Sequence, residues 1–254
     1  MNKENLLFYN EYEMFYEMAD KSEVFREYCE KAFGADFSQD GFSDLSQLKE
    51  ILNMVSLNHM SNVLDIGCGN GKMLKYIQMI TGAFITGFDY SEKAIASAKR
   101  DLNEKSSFEV GIIGQIDYKV ETFDLITSMD TMYFAKDMNV FVAQLYNWLK
   151  VGGHFICGYQ EGDVMKKTAN KDTTELAKAF RNNGIEYDVI DYTRKTYEML
   201  KNKRDVILKM KDKFINSNLE MWYEVVEGQT QCVNASYEEY QRGNARYIYI
   251  VKKL

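Results

Sequence analysis

The sequence contains no proline, a residue that usually makes up about 5% of a protein. Its turns must therefore be made by Gly, Asn, Asp and Ser, and we find no low-complexity linker. Histidine occurs only twice, and the four cysteines form no CxxC pair, so a structural zinc site is not expected. We expect Cys29, Cys68, Cys157 and Cys232 to be buried free thiols in a reducing compartment.

The sequence also lacks long apolar runs. No stretch of about 18 consecutive apolar residues occurs, which argues against a membrane-spanning helix and a membrane partner. The first twenty residues are acidic and aromatic, unlike a secretory or transit peptide, so a cytoplasmic location is expected. At 254 residues, with 46% hydrophobic and 27% charged residues, the chain has a globular composition and can bury a core without disulfides or metals.

Positive charge is scarce at the N-terminal end. Residues 1–60 hold twelve acidic and five basic residues, which accounts for the whole net charge of −7. No basic stripe is present, so a nucleic-acid partner is not expected. The acidic excess is either a solvated helix surface or a cap that favours a cationic ligand. Residues 193–218 hold eight basic and three acidic residues and have apolar residues at helical spacing, which predicts an amphipathic helix docked on this cap.

Strands alternate with helices after residue 57, a pattern typical of βαβ units and a largely parallel sheet. The predicted strands span about 62–66, 83–88, 108–113, 123–128, 153–159, 185–192 and 246–251. Right-handed crossovers then give an α/β, doubly wound, three-layer sandwich. We predict a helical cap (1–56), a core (57–192), a helical lid insertion (193–243) and a last core strand (244–254).

A glycine loop follows the first predicted strand. The segment 63–72 reads VLDIGCGNGK, in which Gly67 and Gly69 allow positive φ and close approach of a ligand to the backbone. The loop opens a helix, whose N-terminus can hold polar groups. It is not a dinucleotide fingerprint, because Lys72 stands where GxGxxG needs glycine, and it is not a Walker loop.

DxGxGxG after a strand is the signature of class I S-adenosylmethionine-dependent methyltransferases, and the chain resembles that family. Further matches are GFDYS at 87–91, FDLI at 123–126 and WLKVGG at 148–153, where Val151 replaces the family's proline. The four motifs cover about 62–160 in the family's order. The resemblance implies a Rossmann-like sheet of seven strands, S-adenosylmethionine as cofactor with S-adenosylhomocysteine as product, and no metal.

The resemblance also implies which residues contact the cofactor. Asp89 ends the second strand, where a carboxylate accepts hydrogen bonds from both ribose hydroxyls, and Tyr90 lies beside the adenine. Many relatives carry an acid after the third strand, but this chain has none before Asp117, so either backbone groups near Ile113 and Gly114 or the Gln115 side chain is expected to replace it. The full expected set is Asp65, Gly67, Cys68, Gly69, Asp89, Tyr90, Ile113, Gly114, Met129 and Gln39.

The segment after the fourth strand indicates the class of acceptor. The [ND]PP[YF] motif of DNA and glutamine amino-methyltransferases is absent. The sequence SMDTMYF at 128–134 instead resembles the small-molecule branch, such as the sarcosine/dimethylglycine and phosphoethanolamine N-methyltransferases. In the phosphoethanolamine enzymes a catalytic histidine follows the aspartate by four residues, but here that position is Phe134, so a histidine-assisted mechanism is not expected. We predict Asp130 and Tyr16 as catalytic residues. The predicted acceptor-binding residues are Tyr12, Tyr28, Tyr133, Tyr159 and Trp222.

Together these features predict methyl transfer to a small-molecule acceptor by in-line displacement in a lidded pocket. An amine nitrogen is favoured over a hydroxyl because the cap is acidic and aromatic. The alternatives are a small-molecule O-methyltransferase and an S-adenosylmethionine-binding protein without catalysis. A protein or RNA methyltransferase and a cyclopropane-forming enzyme are weaker alternatives. The oligomeric state and the acceptor remain open.

Overall fold

The computed structural model of the protein describes residues 6–39, 41–101 and 103–254. Three helices precede the first strand: α1 (Tyr9–Lys21), α2 (Glu23–Phe33) and α3 (Leu45–Asn53). The Ser22 hydroxyl accepts a hydrogen bond from the Phe25 amide and caps α2. The Asp44 carboxylate caps α3 and accepts a hydrogen bond from the Gln47 amide. The neighbouring Ser43 is buried, and its hydroxyl accepts a hydrogen bond from Arg246 on the last strand.

The core alternates strands and helices as predicted. The elements are β1 (Asn62–Ile66), α4 (Lys72–Thr81), β2 (Phe84–Asp89), α5 (Glu92–Ala98), β3 (Ser106–Val110), β4 (Phe123–Met129), α6 (Met138–Trp148), β5 (Leu149–Glu161), α7 (Glu175–Asn182) and β6 (Asp188–Asp191). The insertion contains α8 (Thr193–Lys209), α9 (Lys211–Asn216), α10 (Glu220–Gln229) and α11 (Tyr237–Gly243), and β7 (Ala245–Lys252) follows. Within the described residues these seven strands form one sheet, in the order β3-β2-β1-β4-β5-β7-β6. Strands β1 to β5 run parallel, and β7 is antiparallel to β5 and β6. The predicted seven-stranded, Rossmann-like α/β fold is confirmed.

The third, fifth and sixth strands differ most from their predicted bounds, and the sixth, expected over 185–192, spans only Asp188–Asp191. The third was expected over 108–113, but β3 ends at Val110, and Gly114 adopts a φ of +81° in the loop that follows. The fifth was expected to begin at Gly153, but β5 begins at Leu149, which pairs with Phe123 of β4. Residues 154–161 of β5 all pair with β7. With 13 residues, β5 is the longest of the described strands.

The insertion packs against the N-terminal helices, and this contact covers a cavity at one edge of the sheet. One apolar cluster joins Phe15 and Tyr28 of the N-terminal helices to Leu200, Phe214 and Tyr223 of the insertion. At its edge Lys213 Nζ lies 2.7 Å from Glu27 Oε1. The basic helix of the sequence therefore does contact the acidic N-terminal segment. No helix in the described ranges is long and apolar enough to cross a membrane.

Candidate active site

A cavity of about 660 Å³ opens at the carboxyl ends of the parallel strands, the usual place for ligands in open α/β sheets. Its floor is formed by the loops that follow β1, β2 and β4. Its roof is formed by α1, α8 and α10, so segments far apart in sequence enclose one space. A space of this size is large enough for a small ligand.

The floor is a glycine cradle between β1 and α4. Gly67, Gly69 and Gly71 all have positive φ, at 71°, 53° and 71°. A Cβ on Gly67 would stand 2.6 Å from the Thr131 side chain, and one on Gly69 would meet the Tyr16 hydroxyl. The loop thus admits only glycine at both positions, and Tyr16 of the roof lies directly over it.

Two buried carboxylates lie at the cavity floor, on the neighbouring strands β1 and β2. Asp89 accepts hydrogen bonds from the amides of Gly69 and Ser91, each at 2.9 Å, and burial raises its pKa to about 6. Asp65 accepts from the Thr127 hydroxyl at 2.7 Å, and burial raises its pKa to about 7. A ligand that donates hydrogen bonds to these groups would stabilise their charged forms.

An aromatic cluster forms the edge of the cavity beside β2. The Tyr90 ring lies 5.8 Å from the Tyr9 ring and 5.8 Å from the Phe134 ring, measured between centroids. Ile113 lines the cavity as predicted, but Gly114 does not. A Cβ on Gly114 would meet nothing within 4 Å, because the loop has already turned away from the site. Gly111, which was not predicted, lines the wall instead.

The roof is fastened to the floor beside this cluster. The Ser91 hydroxyl donates to Glu13 Oε1 at 2.6 Å, and the Lys93 amide donates to the same oxygen at 3.1 Å. Further along α1, Asp20 accepts from the Ser97 hydroxyl at 3.0 Å. Because both acids are on α1 and their donors are on α5 or at its start, α1 is held closed over the cavity.

The wall after β4 contains Asp130, in a left-handed conformation with a φ of +60°. Its carboxylate is already bound on both oxygens: Arg246 Nε lies 3.0 Å from Oδ1 and Nη2 lies 2.8 Å from Oδ2. Arg246 is fully buried, and the sequence reasoning missed it. The available signal was a lone positive charge in the apolar strand ARYIYIV, where only a buried partner makes such a residue tolerable.

The predicted acceptor residues divide into two groups. Tyr12, Tyr133 and Trp222 line the cavity, but Tyr28 and Tyr159 do not. Tyr28 faces the insertion and packs in the apolar cluster there. Tyr159 points to the other face of β5, because successive strand residues alternate, and its neighbour Gln160 faces the cavity instead. The structure therefore does not place Tyr28 and Tyr159 at the cavity wall, where they were predicted.

All the other predicted site residues lie at the cavity wall. Gln39 lines it, and its side chain donates to the Ser43 carbonyl at 2.7 Å. The remaining ones are Tyr16, Asp65, Gly67, Cys68, Gly69, Asp89, Tyr90, Met129 and Asp130. Of the four cysteines, Cys232 is exposed rather than buried, because it lies on the short turn after α10 at the cavity wall.

The charge of the wall is mainly negative. The described lining residues include the acids Glu11, Asp65, Asp89, Asp130 and Asp163, whereas Lys203 is the one base among them. No histidine belongs to this lining set. Arg246 balances the charge of Asp130, and burial favours the neutral form of Asp65. The tyrosine rings, together with Glu11 and Asp163, are therefore the features that suit a cationic ligand. No group of metal-ligating side chains occurs in the parts of the chain that the structure describes.

Comparison with known proteins agrees with this geometry. The family described as a methyltransferase domain matches residues 64–157. Phosphoethanolamine N-methyltransferase 3 of Arabidopsis thaliana is 29% identical over 215 residues, which span 78% of this chain and 44% of that enzyme. The chain thus spans less than half the length of such curated relatives.

Solved structures show the same fold. Phosphoethanolamine N-methyltransferase 2 of Haemonchus contortus, solved with phosphomonomethylethanolamine and S-adenosylhomocysteine, has a TM-score of 0.74 and 18% identity. The match covers 96% of this chain and 60% of that one. A sarcosine dimethylglycine methyltransferase structure from Galdieria sulphuraria has a TM-score of 0.62 and 13% identity, over 82% of this chain and 84% of that one. The methyltransferase domain match over residues 64–157, the similarity to phosphoethanolamine N-methyltransferases and the shared fold agree with the resemblance to S-adenosylmethionine-dependent methyltransferases that the motifs indicated.

Proposed function

We propose that this protein transfers a methyl group from S-adenosylmethionine to an amine nitrogen of a small molecule. The observation that carries the proposal is that one cavity joins the glycine cradle and Asp89 to an acidic, tyrosine-lined wall. The first half suits the cofactor and the second suits a cationic acceptor. Two of the relatives reported above are named phosphoethanolamine N-methyltransferases, which supports an amine nitrogen as the methyl acceptor.

The cofactor half has the hydrogen-bonding groups that S-adenosylmethionine needs. Asp89 would accept the ribose hydroxyls, because its carboxylate lies at the cavity floor and each oxygen can accept a further hydrogen bond beside the one from Gly69 or Ser91. The cradle at Gly67 and Gly69 gives the backbone close access to the ligand. Ile113 and Tyr90 would flank the adenine. When bound, the cofactor supplies a methyl group on a sulfonium, which is already activated for in-line displacement.

The acceptor half would bind and orient the amine without a histidine. Tyr12, Tyr16 and Tyr133 present aromatic surface and hydroxyls to the cavity, together with Asp130. An ammonium group is attracted by such a wall, but only the neutral amine is a nucleophile. Because Phe134 stands where the phosphoethanolamine enzymes have a catalytic histidine, the proton would leave to solvent before the cavity closes.

Calorimetric titration with S-adenosylmethionine and S-adenosylhomocysteine tests the cofactor half. We expect micromolar binding to the wild type and its loss in Asp89→Ala. Asp188→Ala, at an exposed position on β6, is the matched control and should bind like the wild type. No binding by the folded wild type would overturn the proposal.

A panel of small amines and phenols, assayed for S-adenosylhomocysteine release, tests the acceptor half. We expect turnover with amines and a rate that rises with pH until the acceptor amine is neutral. Turnover with phenols alone would assign an O-methyltransferase. If the protein binds the cofactor but methylates no compound of the panel and no component of a cell extract, it is a catalytically silent S-adenosylmethionine-binding protein.

A further inference from the structure

We infer that Arg246 is a positioning residue that latches the N-terminal cap to the methyl-transfer site. One guanidinium binds Asp130 at the end of β4 and two side chains at the start of α3. Arg246 Nη1 donates to Gln47 Oε1 at 2.8 Å, and Nη2 donates to Ser43 Oγ at 3.0 Å. The inference rests on the proposed function only in that the cavity must bind the cofactor.

The fold is built around this guanidinium. Gly158 of β5 leaves the space that it fills, because a Cβ there would stand 2.6 Å from Nη2. The Gly158 carbonyl also accepts from the Asp130 amide at 2.9 Å, which helps to hold the left-handed turn. Glycine within a strand commonly marks such a close approach. The Arg246 amide in turn donates to the Thr193 hydroxyl at 3.1 Å, so the start of the insertion is tied to the same residue.

Arg246 binds the cap and Asp130 at the same time. We therefore expect that Asp130 is oriented at the cavity wall only when the cap is in place. Ser43, Gln47 and Asp130 are all buried, and they come from the cap and from β4. A guanidinium has five donors in a rigid plane, and here they bind three partners at once. If the cap opens, Arg246 loses its neutral partners, and the Asp130 pair is exposed to water. Asp130, held on both oxygens, therefore orients the site and does not serve as a free base.

Gln47 offers a way to weaken the latch without breaking the ion pair. Its Nε2 has no hydrogen-bond partner among the described residues, so only its Oε1 bond to Arg246 anchors the side chain. Gln47→Met keeps the volume and length and removes that bond, which leaves Arg246 Nη1 without this acceptor but the Asp130 pair intact. Lys49→Met, on the exposed face of the same helix, is the matched control.

The test is the dissociation rate of S-adenosylhomocysteine, followed by stopped-flow fluorescence of Trp222 at the cavity wall. We expect Gln47→Met to raise this rate about tenfold, the loss of one hydrogen bond to a charged group. Lys49→Met should leave the rate unchanged. The melting temperature of Gln47→Met should fall by about 2–4 °C, because one buried guanidinium N–H loses its acceptor, whereas a merely structural role would predict an unchanged dissociation rate well below that temperature.

A double-mutant cycle shows whether Arg246 transmits the effect. In the Arg246→Lys background, where the planar fork is lost, Gln47→Met should cause little further change in the rate. If Arg246→Lys does not fold, Ser43→Ala replaces it, because both partners bind the same guanidinium. Equal rates for Gln47→Met and Lys49→Met, or fully additive effects, would overturn the latch while the proposed function stands. Absence of S-adenosylhomocysteine binding in the wild type would overturn both.

Discussion

Asp65 is expected to destabilise the unliganded protein as the pH rises. Burial raises the pKa of its carboxyl group from 3.8 to about 7. Between these two values the native state holds a proton that the unfolded chain has released, so the free energy of unfolding falls with increasing pH. Each pKa unit corresponds to about 1.36 kcal/mol. The Asp65 carboxyl therefore costs about 4 kcal/mol at pH 8, where the native state buries its charge, and about 2 kcal/mol at pH 5, where the native carboxyl keeps a proton that the unfolded chain releases.

The perturbation is Asp65→Asn, which keeps the shape and the acceptor oxygen for the Thr127 hydroxyl but cannot ionise. We expect urea unfolding to show a stabilisation of about 4 kcal/mol at pH 8 that shrinks to about 2 kcal/mol at pH 5. Asp188→Asn, at an exposed position on β6, should show no such difference between the two pH values. A gain for Asp65→Asn that is the same at both pH values would refute the reasoning.

Three further outcomes are expected. Gly69→Ala should weaken S-adenosylhomocysteine binding at least tenfold by calorimetry, because its φ of +53° is unfavourable to alanine and the Tyr16 hydroxyl occupies the space; unchanged affinity would contradict a rigid cradle. The affinity should fall several-fold in about 1 M salt, which screens exposed pairs such as Lys213–Glu27 that join insertion and cap; a salt-independent affinity would contradict this role. A thiol reagent should label Cys232 alone in the native protein, and S-adenosylhomocysteine should slow that labelling, because the residue is exposed at the cavity wall; rapid labelling of a second cysteine would contradict the burial.

The core and the cofactor half could be predicted from sequence because their signals are local. The first strand has the predicted bounds, Asn62–Ile66, and the glycines that follow it must have positive φ wherever they occur. Asp89 ends β2 as its spacing from the glycine loop indicated. The alternation of side chains along a strand and the geometry of a turn depend on residues next to one another in the chain, so a single sequence carries them.

The acceptor half could be predicted only in part, because its wall is assembled from four distant segments. Tyr28 lies on the one buried stripe of α2, and only packing decided that this stripe meets the insertion and not the cavity. On β5 the side chain at the wall is that of Gln160 and not that of its neighbour Tyr159, because successive side chains of a strand point to opposite faces of the sheet.

By itself, the sequence determined the α/β fold, the glycine cradle and the class of enzyme, since these follow from short motifs and periodicity. Only the tertiary structure decided that Asp130 is held by Arg246, at a separation of 116 residues. The physical reason is that a buried charge must find its partner in space, and no spacing along the chain encodes that contact.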